Sequence, residues 1–241
     1  MRRASLALAA AAALLASGCE TTQEQSAKIG RALGHQSAAT GTLRVGGANR
    51  SVRVLRSVLV GAAGQSAVAV ELSNTGARPQ ASFPILIAVR DAHGKTVYRN
   101  DTEGIEPSLQ SLSLLPAHAS EWWVDNEVLG GAPKSVSVSV GASSGRVAVG
   151  GPPPLITTRA LSASASFPGP HVSATVSNRS AVAQRQLALY AVVLNGNTVV
   201  GAGRAIVVAL GAHASTSVVI PVIGSVDGRT ISVTTAPGQL H

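Results

Sequence analysis

The sequence predicts an all-β fold, built as two tandem antiparallel β-sandwiches, and three observations support this prediction. From about Leu43 onwards, Val, Ile, Thr and Ser alternate in short runs that Gly, Pro and Asn interrupt, which is typical of half-buried strands joined by turns. No long segment shows the periodicity of an amphipathic helix. The third observation is that the runs occur twice, in the same order.

The second set of runs follows the first at nearly constant spacing. Leu72–Asn74 matches Val176–Asn178, and the neighbouring runs match at the same offset of 104 residues. After the next hairpin the offset falls to 102 and then to 95, where Leu115–Ser120 (LPAHAS) matches Leu210–Ser215 (LGAHAS). A strand that slips by one residue turns its apolar face outward, whereas a loop lengthens at little cost. Offsets that change only between runs therefore indicate a duplicated domain.

A Gly/Pro stretch, Gly150–Pro154, separates the two copies and is unsuited to a sheet ladder. The polar segment before the first copy has no broad apolar face, so we expect it to be a tether. The predicted organisation is a signal peptide at 1–18, a lipidated cysteine and flexible tether at 19–42, a first β-sandwich at 43–143, a Gly/Pro linker at 144–153 and a second β-sandwich at 154–238.

The N-terminus has the pattern of an export signal. Arg2 and Arg3 precede the apolar run Leu6–Leu15, which is too short for a permanent membrane span and has the length of a signal-peptide core. The following Ala16–Cys19 resembles the cleavage motif of bacterial lipoproteins, in which the cysteine is acylated. Cys19 is the only cysteine in the chain, and lipidation accounts for it. We therefore expect a protein lipid-anchored to the cell membrane or outer membrane, on the exported side.

A second resemblance concerns the sandwiches themselves. The segments LALYAVVLNGNTVV (Leu187–Val200) and LGAHASTSVVIPV (Leu210–Val222) resemble the FxLYD and related immunoglobulin-like modules of bacterial lipoproteins. The first copy departs from that pattern, because Phe83–Leu86 replaces the Leu-Tyr element. The resemblance implies an immunoglobulin-like sandwich in an envelope protein, and it brings no catalytic residues with it.

Composition and motifs argue against several chemistries. The net charge of +8 includes no run of five basic residues, so no nucleic-acid partner is expected. The second copy holds a single acid, Asp227, so it cannot build a two-carboxylate site. His118 and His213 lie in equivalent turns of the two copies, and we interpret them as turn residues and not as one paired site. No catalytic residues, metal ligands or cofactor are predicted.

The first copy has seven extra residues between Tyr98 and Leu114, and this insertion is acidic. Six of the eleven acids in the chain lie between positions 101 and 127. Asp101, Glu103 and Glu106 are therefore candidate contacts for a basic partner, although a solvated loop neutralised by nearby arginines has the same composition.

Trp122 and Trp123, the only tryptophans, are further candidate contacts. Neighbours in a strand point to opposite faces, so one indole belongs to the core and the other faces solvent or lies under a loop or the other copy. The pattern of the first copy favours Trp122 inside, and the repeat favours Trp123. An exposed tryptophan beside an acidic loop would be a plausible hot spot.

The sequence thus predicts a non-catalytic lipoprotein that acts as an interaction or structural module on the membrane surface. Its expected partners are the membrane, through the N-terminal lipid, and an envelope protein or cell-wall polymer. The alternative is a receptor for a small ligand or cation through the acidic loop of the first copy.

Overall fold

The computed structural model describes residues 43–240 except 44, 63, 103, 130, 144–152, 168, 229 and 239. The signal peptide, Cys19, the tether and most of the Gly/Pro linker lie outside this part of the chain. Repeat 1 contains seven strands and one 3-10 helix: β1 Val52–Ala62, β2 Gln65–Asn74, β3 Gln80–Arg90, β4 Thr96–Arg99, the helix Pro107–Leu109, β5 Ser111–Leu115, β6 Ser120–Val128 and β7 Ser135–Val140. Repeat 2 contains six: β8 Ile156–Ser164, β9 His171–Asn178, β10 Gln184–Asn195, β11 Thr198–Leu210, β12 Ser215–Gly224 and β13 Thr230–Ala236.

The predicted all-β sandwich fold is confirmed, and both repeats have the same strand order. In repeat 1, one sheet has the order β1-β2-β6, and the other has β4 and β5 beside β3, with β7 also paired to β3. Repeat 2 matches this arrangement with β8-β9-β12 and β13-β10-β11. Its two sheets join where Gly201–Gly203 pair with Val222–Gly224. A Cβ at Gly203 would collide with the Pro221 carbonyl, so this close approach requires glycine.

The hydrogen-bond register of the strands reproduces the offsets between the two copies that the sequence shows. Gln80 pairs with Leu115 in repeat 1, and Gln184 pairs with Leu210 in repeat 2, so the pairs differ by 104 and 95 residues. The pairing then passes over one residue of β3 in repeat 1 and one residue of β10 in repeat 2. The skipped residues, Ser82 and Gln186, have positive φ angles of 48° and 52°. An irregularity kept at the same place in both copies is a detail that supports duplication.

His118 and His213 also have matching backbones, with φ angles of 57° and 56°. Each stands in the tight turn that leads into β6 or β12, and this left-handed conformation is uncommon for residues other than glycine. The two histidines therefore occupy equivalent turns, in agreement with the interpretation from the sequence.

A buried asparagine ties the loops together at the end of each repeat. Asn74 Nδ2 donates to the carbonyl oxygens of Arg78 at 2.9 Å and Pro116 at 3.0 Å. Asn178 Nδ2 donates to the equivalent carbonyls of Val182 at 2.8 Å and Gly211 at 3.0 Å. Each amide thus joins two loops at the same end of its repeat.

We expect Asn74→Ala to lower the free energy of unfolding by about 3 kcal/mol, because it leaves buried carbonyls without donors. Asn178→Ala should have a similar effect, since the two sites match. Urea unfolding at neutral pH measures both, with exposed Asn195→Ala at the β10–β11 hairpin as the control. A loss below about 0.5 kcal/mol for either buried site would show that water replaces the amide.

The two repeats pack against each other through sheet faces. Alternate residues of β10 belong to different cores: Leu189 and Val193 lie in the core of repeat 2, whereas Tyr190 and Val192 join the core that contains repeat 1. This double burial explains the nearly continuous apolar run of β10. The described residues of the two repeats accordingly belong to one compact unit.

The corresponding sheets of the two repeats have different outer faces. In repeat 1 the outer face of β1-β2-β6 carries Trp122 and is covered by repeat 2. In repeat 2 the outer face of β8-β9-β12 faces solvent and carries hydroxyl groups. Ser215 pairs there with Ser177, and Ser217 pairs with Thr175. The outer face that another sheet covers thus carries a large apolar side chain, and the outer face that meets solvent carries hydroxyl groups.

Candidate functional site: the inserted loop and the Arg204 cluster

The extra residues of repeat 1 interrupt a strand that is continuous in repeat 2. A single long strand, β11, occupies the place of both β4 and β5, and the insertion forms the connection between those two strands. Buried Asn100 anchors this connection. Its Oδ1 accepts from the Ile87 N–H at 2.8 Å, and its Nδ2 donates to the carbonyls of Ile85 and Leu109, both at 2.7 Å.

Ser108, in the short helix of the insertion, is one point where the two repeats meet. Its carbonyl oxygen accepts hydrogen bonds from Trp123 Nε1 of repeat 1 at 2.9 Å and from the Tyr190 hydroxyl of repeat 2 at 2.8 Å. The two rings lie 6.5 Å apart between centroids at an angle of 46°, a favourable tilted geometry. Ser108 Oγ also accepts from Arg204 Nη1 at 2.5 Å.

Arg204 of β11 is the central cation of this interface, and its side chain is only 6% exposed. Both terminal nitrogens donate to Glu106 Oε2 at 2.9 Å. Nη2 also reaches Glu127 Oε1 at 3.2 Å, and Nε donates to Asn126 Oδ1 at 3.3 Å. We call Arg204 and its partners Glu106, Ser108, Asn126 and Glu127 the Arg204 cluster. Burial on its own would lower the pKa of Arg204, but Glu106, Tyr190 and Glu127 together outweigh burial and raise it.

A second buried acid lies beside the cluster. Asp125 is fully buried, and its carboxylate accepts from the Tyr98 hydroxyl at 2.8 Å and from the Glu127 N–H at 2.9 Å. Burial raises the pKa of Asp125 to about 6, although those hydrogen bonds and the nearby charge of Arg204 oppose the increase. The pKa of Tyr98 is also raised, most strongly by burial and less strongly by the repulsion of Asp125.

The raised pKa of Asp125 makes stability depend on pH. The unfolded pKa is about 3.9, so the folded protein binds the proton more tightly than the unfolded chain. The resulting stabilisation is complete below about pH 4 and is lost as the pH rises through 6. We therefore expect Asp125→Asn to be more stable than wild type at pH 7 by up to about 3 kcal/mol. The advantage should vanish near pH 4.

Urea unfolding from pH 4 to pH 8 measures this difference, with the exposed Asp227→Asn as the control. A difference between wild type and Asp125→Asn that stays constant with pH would mean that Asp125 has an ordinary pKa in the folded protein.

Both tryptophans of the predicted contact site are buried. Trp123 is 0% exposed and points into the core of repeat 1, as the match with Val218 predicts. Trp122 points to the other face of the sheet and is 6% exposed beneath repeat 2. Its backbone N–H donates to Thr234 Oγ1 at 3.1 Å, and the Arg56 guanidinium lies 4.9 Å from its ring centroid. The possibility of a solvent-exposed tryptophan is thus wrong, because the second repeat covers the face where it would lie.

The acidic residues of the insertion do not converge on one point. Asp101 pairs with Arg99 at 2.6 Å, and the hydrogen bond from Arg99 lowers the pKa of Asp101. Glu106 belongs to the Arg204 cluster, and Glu103 lies outside the described residues. In the part of the chain that the structure describes, no three His, Cys, Asp or Glu side chains group as metal ligands do.

The sequence reasoning missed Arg204, Ser108 and Tyr190 as a set. One signal was present: Arg204 is a lone charge in the otherwise apolar strand GAGRAIVV, and such a residue needs a buried partner. The partner is nearly 100 residues away in the insertion, and the sequence contains no signal for that pairing.

Comparisons with known proteins add little. No protein-family model matches the chain, and no curated protein does. Among solved structures, the crystal structure of red sea bream transglutaminase is similar at 17% identity with a TM-score of 0.21. The match covers 77% of this chain but 29% of the other, so this chain spans under a third of that structure. Within the described residues, no helix is long and apolar enough to cross a bilayer.

Proposed function

We propose that this protein is a non-catalytic, lipid-anchored module of the cell envelope, in which two β-sandwiches act as one block for binding or spacing. The observation that carries the proposal is the Arg204 cluster. The insertion, the most distinctive feature of repeat 1, uses Glu106 and Ser108 to hold repeat 2 through a buried arginine. A loop used in this way gives the chain a fixed two-repeat geometry, which suits a module that presents or separates surfaces.

The same contacts favour this function over a receptor for a cation. Glu106 is paired with Arg204, and Asp101 is paired with Arg99. A cation entering the loop would have to displace an arginine from each carboxylate, and Ca²⁺ needs six to eight oxygen ligands in one place.

Crosslinking in the expressing cells tests the interaction role. A photo-reactive residue at exposed Thr102, on the insertion, is expected to trap an envelope protein or a cell-wall fragment. The same residue at Ser217, on the free sheet face of repeat 2, tests the opposite surface. No adduct from either position, in cells where the protein is abundant, would argue strongly against an interaction module.

The anchor needs a separate test. Mass spectrometry of the N-terminal peptide from the membrane fraction should find Cys19 acylated and residues 1–18 removed. An unmodified Cys19 would remove the lipoprotein part of the proposal.

A further inference from the structure

Three loops meet at one end of repeat 1, where β2 ends and β6 begins. The loops cover residues 46–51, 75–79 and 116–119. The Thr75 N–H donates to the Ser51 carbonyl at 2.8 Å, and the Asn74 N–H donates to the Ala119 carbonyl at 2.9 Å. Asn74 Nδ2 adds the bond to Pro116 described above. These hydrogen bonds hold the three loops together as one surface.

This surface and the adjoining start of β1 carry positive charge that no described carboxylate pairs with. Arg50, Arg53 and Arg78 are all exposed, and none of them makes an ion pair with a described residue. Arg56, Arg99 and Arg204, in contrast, all have carboxylate partners. We call Arg50, Arg53 and Arg78 the arginine end of repeat 1.

The nearest acid along the chain to these loops is Glu121, the second residue of β6. It is only half-exposed, and burial raises its pKa. Glu121 is therefore poorly placed to neutralise the exposed arginines, and the arginine end has a net positive charge.

The N-terminal segment enters the fold at this same end. Gly47 and Asn49 hydrogen-bond to Ala142 and Val140, antiparallel to the end of β7. That end of β7 lies beside the start of β3, because the Ala81 N–H donates to Ser143 Oγ at 3.1 Å. The described chain therefore begins on the side of repeat 1 that carries the arginine end.

We propose that the arginine end of repeat 1 docks on the anionic phospholipid headgroups of the membrane that holds the N-terminal lipid. This inference rests on the proposed lipid anchor. Guanidinium groups bind phosphate through two parallel hydrogen bonds, and basic residues are attracted to anionic bilayers within a Debye length. A tether that joins the fold at this end keeps the arginines at a high effective concentration near the headgroups. Docking would hold the two-repeat block at a defined orientation to the bilayer.

Vesicle cosedimentation tests the docking without the lipid. A chain that begins at residue 43 contains all the described residues and both cores, and circular dichroism and a thermal melt first verify that it is folded. We expect it to bind vesicles of phosphatidylglycerol and phosphatidylcholine and not vesicles of phosphatidylcholine alone. The triple variant Arg50→Gln, Arg53→Gln and Arg78→Gln should bind the anionic vesicles about tenfold to a hundredfold more weakly.

The matched control removes three exposed arginines from repeat 2, through Arg159→Gln, Arg179→Gln and Arg185→Gln. It has the same net charge as the first variant and should bind within about twofold of wild type. Equal weakening of both variants would overturn the proposal, since net charge alone would then explain binding. So would tighter binding of soluble polyphosphate than of vesicles, which would indicate an anionic polymer as the partner.

The absence of binding to any anionic vesicle would also overturn the proposal. Because this experiment uses a chain without Cys19, its failure is distinct from failure of the lipid anchor. Mass spectrometry of the N-terminal peptide decides the anchor independently.

Discussion

Replacing Arg204 by methionine is expected to lower the free energy of unfolding by about 3–5 kcal/mol, because it leaves a buried carboxylate without its cation. Methionine fills a similar volume, so the loss reports the charge more than a cavity. Glu106 loses two hydrogen bonds from one guanidinium, and Ser108 Oγ loses a third. Urea unfolding followed by far-ultraviolet circular dichroism measures the change.

A second substitution separates the charge from the packing. Glu106→Gln in the Arg204→Met background should recover at least 1 kcal/mol, since a neutral amide needs no counter-charge. Arg185→Met, an exposed arginine of the neighbouring strand β10, is the matched control and should change stability by less than about 0.5 kcal/mol. A similar small effect for Arg204→Met would mean that water solvates Glu106 and that the cluster does not hold the repeats together.

Trp123→Ala is expected to have an effect of the same order, about 3–5 kcal/mol, because it removes a fully buried indole from the core of repeat 1. Trp123→Phe separates the two roles of the side chain. It keeps most of the apolar volume but removes the Nε1–H, so it should cost about 1–2 kcal/mol. The Ser108 carbonyl would still accept from the Tyr190 hydroxyl, which limits the loss.

The pair of donors to Ser108 permits a double-mutant cycle across the two repeats. Tyr190→Phe alone should be mild for the same reason as Trp123→Phe, since one donor remains. The double variant leaves the carbonyl without a donor, so its cost should exceed the sum of the single costs by about 1 kcal/mol. Strict additivity would show that Ser108 does not couple the repeats. Thermal unfolding of the four proteins provides the comparison.

The sequence predicts the structure best where a periodic pattern determines it. The alternation of Val68, Val70 and Leu72 predicts a half-buried strand, and the residues lie in the core of repeat 1. The match of LPAHAS with LGAHAS predicts equivalent turns, and His118 and His213 have nearly the same φ. These features are either local or repeated, and a repeat shows each structural position in two different sequences.

The pattern of a single repeat predicts the contacts between the two repeats less well. The pattern of repeat 1 alone favours Trp122 inside its own sandwich, but Trp123 occupies that core and Trp122 lies on the outer face of the sheet. It is buried because repeat 2 covers this face: its N–H donates to Thr234 of β13, and β10 has a second apolar face, with Tyr190 and Val192, that joins the same core. In the sequence, β10 has the pattern of a buried strand. A continuous apolar run does not reveal that the two faces of the strand belong to two different cores. The pairing of Glu106 with Arg204 is hidden for the same reason.

The contrast between the two outer sheet faces also bears on whether the contact between the repeats can continue to a further sheet. Repeat 1 receives repeat 2 head-to-tail, a heterologous contact that can in principle continue into a fibre. The unused faces are unsuited to continuing it, because Ser217 and Thr175 lie where an apolar face would be needed, and exposed Arg90 matches buried Leu194 in the repeat. The polar and charged side chains on these faces therefore disfavour the packing of a further sheet there.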